Sequence, residues 1–541
     1  MTRSTDANAF ASALSAFVLT ALAVGVVWWW LGKPVTLPPS PLAGGQKLSC
    51  VSYAPFRAGQ DPLVETTQVA PAQIDADLTM LSHYTDCVRT YSISNGQDKI
   101  PEIAQRHGLK VLQGLWLSGD AAKNRKQIET VIALGKKFPD TISGIVVGNE
   151  VLLRGEMSVN DLMATIREVK AQVPEPVTYA DVWEYWLRYR DVANVVDFVT
   201  IHILPYWEDF PLPASIAAAH VDAIRKRIAA AIPGKDIMIG EVGWPSAGRM
   251  REGALPSPSN QALVIQQTLA LAQRENFRVN FIEAFDQPWK RWLEGSVGGS
   301  WGIFDRGTGG PKFALTGGAV SDHPQWPLQA LAGILLAAAT FAGAFIVART
   351  KPAARLLWPK IAALSFLPAV FFGWTIAAIP VESYTAGGWL RSLGFAAVAA
   401  AAPIVCAMST AAGLPLPTFA ALLGRRQDRF GGLSLALGIV LIALVLFAVE
   451  HALGLSFDPR YRDIPFAPLC ASVVPFLVLS LATPRPSGPR AVAERAAAVV
   501  LAAAAVYIVF NESFANWQAI WFCAGLLGLA LILAPARDAP G

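Results

Sequence analysis

Two glutamates stand at the ends of short apolar runs. Glu150 closes Ile145-Val146-Val147-Gly148-Asn149-Glu150, and Glu241 follows Ile237-Met238-Ile239-Gly240. Each run reads as a buried β-strand that ends in a turn, and Pro245 stops the second. Two carboxylates meeting about 5–5.5 Å apart suit a double displacement at an acetal carbon. One must be protonated to help a leaving oxygen depart, and the other ionised to attack. Trp244, three residues after Glu241, offers a flat apolar face of the kind that stacks on a pyranose ring. Tyr91, Trp116, Trp183, Tyr206, Trp207, Trp289 and Trp301 also fall at or just after expected strand ends, where they either line a cleft or belong to the core. Asn149 precedes Glu150. Glu283 and Asp286 add negative charge near the last strand end, as hydroxyl ligands or as a buried polar network. His202 is read either as a hydroxyl ligand or as a satisfied core histidine. The six histidines show no ligand spacing, so neither a metal nor a cofactor is expected.

The elements that must position these groups alternate. Apolar strands are expected at 48–55, 88–93, 110–117, 142–150, 177–183, 196–203, 236–243 and 279–285, with helical patterns over 72–84, 122–138, 159–172, 216–232 and 259–275 between them. Eight alternations over about 270 residues match a (β/α)₈ barrel. Glu150 then ends the fourth strand and Glu241 the seventh, across the mouth from each other. An open doubly wound sheet is disfavoured, because no Gly-rich phosphate turn follows the first strand.

The chain has 541 residues, 53% hydrophobic and 16% charged, which is too apolar for one soluble domain. The apolarity is concentrated at the two ends. The expected organisation is a short cytoplasmic N-terminus (1–9), a membrane anchor (10–32) ending in Trp28-Trp29-Trp30, a Pro-rich linker (33–46), the barrel (47–322), a seven-span all-α domain (328–535) and a cytoplasmic tail (536–541). A cleaved signal peptide is the rival reading of the first span, but no small-x-small site follows the tryptophans. The seven spans are placed at 328–348, 360–379, 389–412, 431–453, 465–483, 494–511 and 517–535. Basic residues fill alternate loops: Arg349, Lys351, Arg355 and Lys360, then Arg425, Arg426 and Arg429, then Arg485, Arg490 and Arg495. The positive-inside rule makes these loops cytoplasmic and puts the barrel on the outer face. The net charge of +4 is accounted for by this topology, not by nucleic-acid binding. Cys406, Cys470 and Cys523 lie in apolar runs, and Cys50 and Cys87 form either a disulfide or two buried thiols.

The strand-end motifs carry a resemblance. Gly148-Asn149-Glu150 and Gly240-Glu241-Val242-Gly243-Trp244-Pro245-Ser246 resemble the signatures of glycoside hydrolase family 17, the β-1,3-glucanases and glucanosyltransferases. Val88-Arg89-Thr90-Tyr91-Ser92 resembles its fungal second-strand motif, and Phe281–Asp286 followed by Pro288-Trp289-Lys290 its eighth-strand motif. The resemblance covers about residues 45–320. It implies Glu150 as general acid/base, Glu241 as nucleophile, and Asn149 on the sugar 2-hydroxyl. Val242 departs from it, standing where many members have Thr. The apolar C-terminus is similar to that of membrane-bound proteobacterial members linked to periplasmic β-glucan building. That likeness implies an inner-membrane, periplasm-facing enzyme acting on β-1,3-glucan or laminari-oligosaccharide, with glucanosyl transfer favoured over hydrolysis and a membrane β-glucan synthase as a further partner. A non-catalytic module that binds and exports glucan is the alternative from another class. Gln287–Trp292 is similar to the Gln-x-x-Arg-Trp signature of processive glycosyltransferases, but its spacing is one residue too long.

Overall fold

The computed structural model describes residues 2–42, 45–349, 356–423, 431–483 and 490–534, with the side chains of 2–9 left aside. The chain divides into two units. One comprises Pro34–Ala247 and Gly253–Val320; the other comprises Met1–Lys33, Gly248–Glu252 and Ser321–Gly541.

The first unit is a closed, all-parallel barrel of eight strands in sequential order. They are β1 (Val51–Ser52), β2 (Cys87–Arg89), β3 (Lys110–Leu115), β4 (Ile142–Asn149), β5 (Val177–Val182), β6 (Val199–His202), β7 (Ile237–Val242) and β8 (Arg278–Phe281). Every residue of β7 and all but Ser143 of β4 are buried, as expected when helices cover the outside of a parallel sheet. The expected helices form at Pro71–Leu81, Ala121–Lys137, Val159–Lys170, Ala214–Ala231 and Pro258–Glu275. Their starts follow local chemistry. Asp120 accepts from the Ala122 and Lys123 amides, Ser158 from Asp161 and Ser257 from Asn260, satisfying backbone donors that a helix N-terminus leaves open.

The strands are shorter than their apolar runs. β2 stops at Arg89 and β8 at Phe281, so Tyr91, Glu283 and Asp286 lie on the loops beyond. Trp183 does not end β5 but opens the short helix Trp183–Arg188. The Pro-rich stretch belongs to the barrel unit, with Val35–Thr36 pairing antiparallel to Ala319–Val320. Leu37 and Leu42 join the barrel core.

Cys50 and Cys87 are joined in a disulfide between the start of β1 and the start of β2, closing a separation of 37 residues. Cys406, Cys470 and Cys523 are free and buried.

The second unit is helical. Six of its helices are long and apolar enough to cross a membrane: Phe10–Leu31, Trp326–Ala348, Leu357–Glu382, Ala386–Ala412, Gly432–Phe457 and Val492–Glu512. Phe466–Ala482 and Trp517–Leu533 are equally apolar but have only 17 residues each. At 1.5 Å per residue that is about 26 Å, slightly short of a hydrocarbon core of about 30 Å. Large apolar side chains such as Leu19, Leu446, Phe510 and Leu531 point outward, the surface expected of helices solvated by lipid. Lys351, Arg355, Arg425, Arg426, Arg429, Arg485, residue 535 and the expected tail 536–541 lie outside the described residues.

Cross-linking β1 to β2 removes loop-closure entropy from the unfolded chain. In the chain-entropy picture a loop of this length contributes about 3–4 kcal/mol. Replacing Cys50 and Cys87 with Ser is expected to lower barrel stability by about 2–4 kcal/mol, read as a fall in the denaturant midpoint with an unchanged slope.

Candidate active site

The site begins with departures from regular strand pairing. The β4/β5 register shifts between Val146 and Asn149, the β6/β7 register between Ile201 and His202, and the β7/β8 register between Ile239 and Val242. Bulges of this kind re-aim the side chains that follow. Gly148, at φ 86°, occupies the first of them, and a Cβ there would meet Val151 at 2.7 Å. Glu150 itself takes φ 53°, a left-handed conformation that costs a non-glycine residue energy and is found chiefly where function requires it. Gly240 makes room for the neighbouring strand, since a Cβ there would meet Thr200 at 2.4 Å and the His202 ring at 3.1 Å.

These strand ends bring Glu150, His202 and Glu241 together, with one ligand atom of each within 4.8 Å of the others. His202 Nδ1 lies 2.7 Å from Glu150 Oε1, and Nε2 lies 3.7 Å from Glu241 Oε1. The Glu150 side chain is 23% exposed, the Glu241 side chain 6%.

Arg89, fully buried, ties the cluster together. Its Nη1 donates to Glu241 Oε1 (2.8 Å) and to the Gly240 carbonyl (3.0 Å); its Nη2 donates to Asn149 Oδ1 (2.5 Å) and faces His202 Nε2 at 3.3 Å. A guanidinium only donates, so His202 Nε2 accepts and the imidazole proton sits on Nδ1, directed at Glu150. Asn149 has its carbonyl oxygen held by Arg89, which leaves its Nδ2 as a donor for a ligand. Tyr91 donates to Glu241 Oε1 at 2.8 Å. Its oxygen lies 2.9 Å from Ser52 Oγ, which accepts from Asn280 Nδ2 at 2.8 Å. Because Ser52 already accepts, its own proton goes to Tyr91, and the polarity of the chain runs from Asn280 to Glu241.

The charges divide the carboxyls. Burial pushes the Glu241 carboxyl up, but His202, Arg89, Lys290 and the Tyr91 hydroxyl outweigh it and hold it below the usual glutamate range. Of these, the fixed charge of Arg89 and the Tyr91 hydroxyl act at hydrogen-bond distance. Glu283 behaves in the opposite way: burial raises it to about 7, although Lys290 Nζ sits 3.0 Å from both of its oxygens. Burial also raises Asp181 to about 6, against a hydrogen bond from Tyr179 and with Glu150 adding to the rise. Glu294, raised by burial, lies within electrostatic reach of both Glu150 and Glu241. Glu150, His202 and Glu241 are the one group among the described residues with metal-ligand spacing. Arg89 already supplies their positive charge at hydrogen-bond distance, which works against a cation there.

Of the expected contacts, Tyr91, Asn149 and His202 meet at this cluster, whereas Glu283 is held by Lys290. Trp116, Trp183 and Trp289 are half-buried, with Arg154 stacked 4.1 Å from the Trp116 ring. Tyr206, Trp244 and Trp301 are corrections. Tyr206 and Trp244 have no exposed surface, and the Tyr206 ring packs edge-on against both tryptophans at 6.1 Å. Trp244 donates to the Leu255 carbonyl, so it supports the β7 end from behind and has no free face for a sugar. Asp286 accepts from the Gly302 amide and pairs with Lys312. Arg89, Lys290, Ser52 and Asn280 were not among the expected ligands. A guanidinium inside the apolar start of β2 is the signal that could have exposed Arg89, because a buried charge demands partners.

A family model described as the BtgE/BtgC glycoside hydrolase domain matches residues 50–302. The match supports a likeness of the barrel to family 17-type glycoside hydrolases. The family 17-like barrel is similar to a probable beta-glucosidase btgE of Neosartorya fischeri, 27% identical over 264 residues, 47% of this chain and 46% of that protein. It is also similar to a glucan 1,3-beta-glucosidase of Schizosaccharomyces pombe, 26% identical over 236 residues, 40% of this chain and 72% of that protein. The chain thus spans just under half the length of the btgE relative. Among solved structures, the glycoside hydrolase family 17 beta-1,3-glucanosyltransferase of Rhizomucor miehei aligns at 24% identity and a TM-score of 0.43, covering 48% of this chain and 94% of that one.

Removing the Tyr91 hydroxyl takes away a bond to the ionised form of Glu241. Tyr91→Phe is therefore expected to raise the Glu241 midpoint, and Arg89→Met to raise it further. A ¹³C-carboxyl titration of glutamate-labelled protein reads both; an unmoved midpoint in the two variants would refute the assignment of cause.

Proposed function

We propose that this chain is a membrane-bound, retaining β-1,3-glucan enzyme whose barrel faces the outside of the cell. The observation that carries the reading is the carboxyl pair: Glu150 and Glu241, at the ends of β4 and β7, present ligand atoms within 4.8 Å of each other. Inverting enzymes keep their carboxyls about 6.5–9.5 Å apart to admit a water, and retaining ones about 5–5.5 Å, so this spacing favours attack by the protein itself.

Glu241, kept ionised by Arg89 and Tyr91, attacks the anomeric carbon. The glycosidic C–O bond breaks, and Glu150 gives its proton to the departing oxygen. A glucosyl ester on Glu241 remains. Glu150, now a carboxylate, takes the proton of an acceptor hydroxyl as that oxygen attacks the same carbon and releases Glu241. His202, donating from Nδ1, stabilises Glu150 in its ionised half-cycle, and Asn149 Nδ2 is placed for a sugar hydroxyl. We favour a glucan hydroxyl over water as acceptor, because a barrel in one chain with a large apolar helical unit suits glucan building more than digestion.

The Cys50–Cys87 disulfide supports an oxidising compartment, independently of the loop charges that suggested an outward barrel. In whole cells, both thiols should resist alkylation until a reductant is added; ready alkylation without it would argue against the outward orientation.

Incubation with laminari-oligosaccharides tests the chemistry. Products longer than the donor indicate transfer, and shorter ones alone hydrolysis. Glu241→Gln should abolish turnover, and Glu150→Gln should slow it by about 10²–10⁴-fold. Undiminished turnover in Glu241→Gln sinks the mechanism.

A further inference from the structure

Arg154 stands just beyond β4 and takes no part in the chemistry proposed above. Its side chain is 22% exposed, and its guanidinium makes four hydrogen bonds. Nη2 donates to the Leu117 carbonyl at 2.8 Å and to the Asn149 carbonyl at 3.0 Å, and Nε donates to the same Asn149 oxygen at 3.2 Å. Nη1 donates to Glu156 Oε1 at 2.7 Å, and Glu156 Oε2 accepts in turn from the Gly119 amide at 2.6 Å. The guanidinium lies 4.1 Å from the centre of the Trp116 ring. One side chain therefore bridges the loop after β3, the last residue of β4 and its own turn.

These contacts fix the backbone on either side of Glu150. The peptide plane before it is gripped at both ends. Its carbonyl, on Asn149, accepts from the Arg154 guanidinium, and its N–H, on Glu150, donates to the Ala180 carbonyl at 2.8 Å. The plane after it is held by the Glu150 carbonyl, which accepts from the Arg154 backbone amide at 2.9 Å. Peptide units are rigid, so fixing the two planes fixes φ and ψ of the residue between them. Glu150 needs that constraint, because a non-glycine residue keeps a φ of 53° only where its surroundings impose it. Relaxed to an ordinary conformation, the same side chain would leave the backbone in another direction. The far side of the turn is fastened separately: the Tyr179 hydroxyl accepts from the Leu152 amide at 3.0 Å and donates to Asp181. Losing the Arg154 side chain would thus loosen one plane and leave the rest of the turn attached. Glu156 offsets the charge of Arg154, so what reaches the turn is the planar fork, which a lysine ammonium cannot reproduce.

We infer that Arg154 is a positioning residue for Glu150: its fork on the Asn149 and Leu117 carbonyls holds the left-handed turn that aims the acid/base carboxyl at the glycosidic oxygen. The inference rests on the function proposed above. Two leaving groups test it, in the full chain in detergent micelles. A glucan oxygen needs the proton of Glu150 to depart, whereas a dinitrophenolate leaves without one, and kcat/KM reports the steps up to that departure. Arg154→Met and Arg154→Lys are each expected to lower kcat/KM for laminaripentaose by about 10–10²-fold, the cost of a displaced catalytic group. Both should keep the parent kcat/KM for dinitrophenyl β-laminaribioside. An equal fall with both substrates marks a general loss of structure and overturns the inference. So does parent-like cleavage of laminaripentaose by Arg154→Lys, which would make charge alone sufficient. Hydrogen exchange supplies a readout free of turnover: the Glu150 amide should exchange faster in both variants, while amides of β7 keep their protection. Unaltered protection at Glu150 overturns the inference whether or not the chain is active. A parent chain that cleaves neither substrate removes the proposed function, and the exchange at Glu150 then decides the positioning role alone.

Discussion

A buried guanidinium organises the mouth of the barrel. Taking Arg89 out of water carries a large desolvation cost, repaid only if its donors find good acceptors. Five groups surround it: the Glu241 carboxylate, the Gly240 carbonyl, the Asn149 amide oxygen, His202 Nε2 and, at 3.4 Å, the Tyr91 hydroxyl, while its Nε–H has no partner. The Glu241, Gly240, Asn149 and His202 acceptors come from the ends of three strands, β7, β4 and β6. Shortening β4, β6 or β7 by one residue would strand the charge, so the electrostatics of one side chain constrain the register of half the barrel.

The same residue divides labour between two chemically identical groups. Glu241 lies against Arg89 and Tyr91 and is almost closed off from solvent, so it is stabilised as an anion where an anion is most reactive. Glu150 lies against His202 and is partly exposed. In the proposed mechanism it is environment, not residue type, that makes one a nucleophile and the other an acid. The strained backbone at Glu150 fits this arrangement: a left-handed residue after a bulge carries the side chain over the mouth instead of along the strand. Lys290 acts similarly from a layer further out. It compensates Glu283 and adds positive potential at Glu241 without touching it.

The barrel and its two principal carboxyls were legible because apolar period and strand count fix them together: a Glu at the end of a four- to six-residue apolar run has one side of the barrel available to it. The strands end earlier than the pattern implies, since Thr90, Ile93 and Ile282–Phe285 stay buried after the ladder stops, and burial does not require pairing. The aromatics were the larger error. Trp244, Tyr206 and Trp301 sit at strand ends as a cleft would require, yet they pack on one another behind β7. Nothing in a one-dimensional pattern separates an indole facing the mouth from one propping its wall. Arg89 was overlooked for the opposite reason: its importance lies in acceptors 60 to 152 residues away.

The burial of Trp244 changes how transfer would have to work. Once Glu241 carries a glucosyl group, water and a sugar hydroxyl compete for the base at Glu150. Water is everywhere, so transfer requires a bound acceptor that displaces it and aligns its oxygen. With Trp244, Trp301 and Tyr206 in the core, the remaining indoles at the strand ends are Trp116, Trp183, Trp207 and Trp289. The Trp116 face is already covered by Arg154, and Trp183 is tied to Glu208. For the proposed transfer, the acceptor platform would therefore be narrower than the sequence pattern implies, with Asn149 Nδ2, Trp207 and Trp289 left to align the acceptor. An enzyme so equipped favours transfer chiefly when acceptor is concentrated nearby, which is what a glucan held at the membrane would provide.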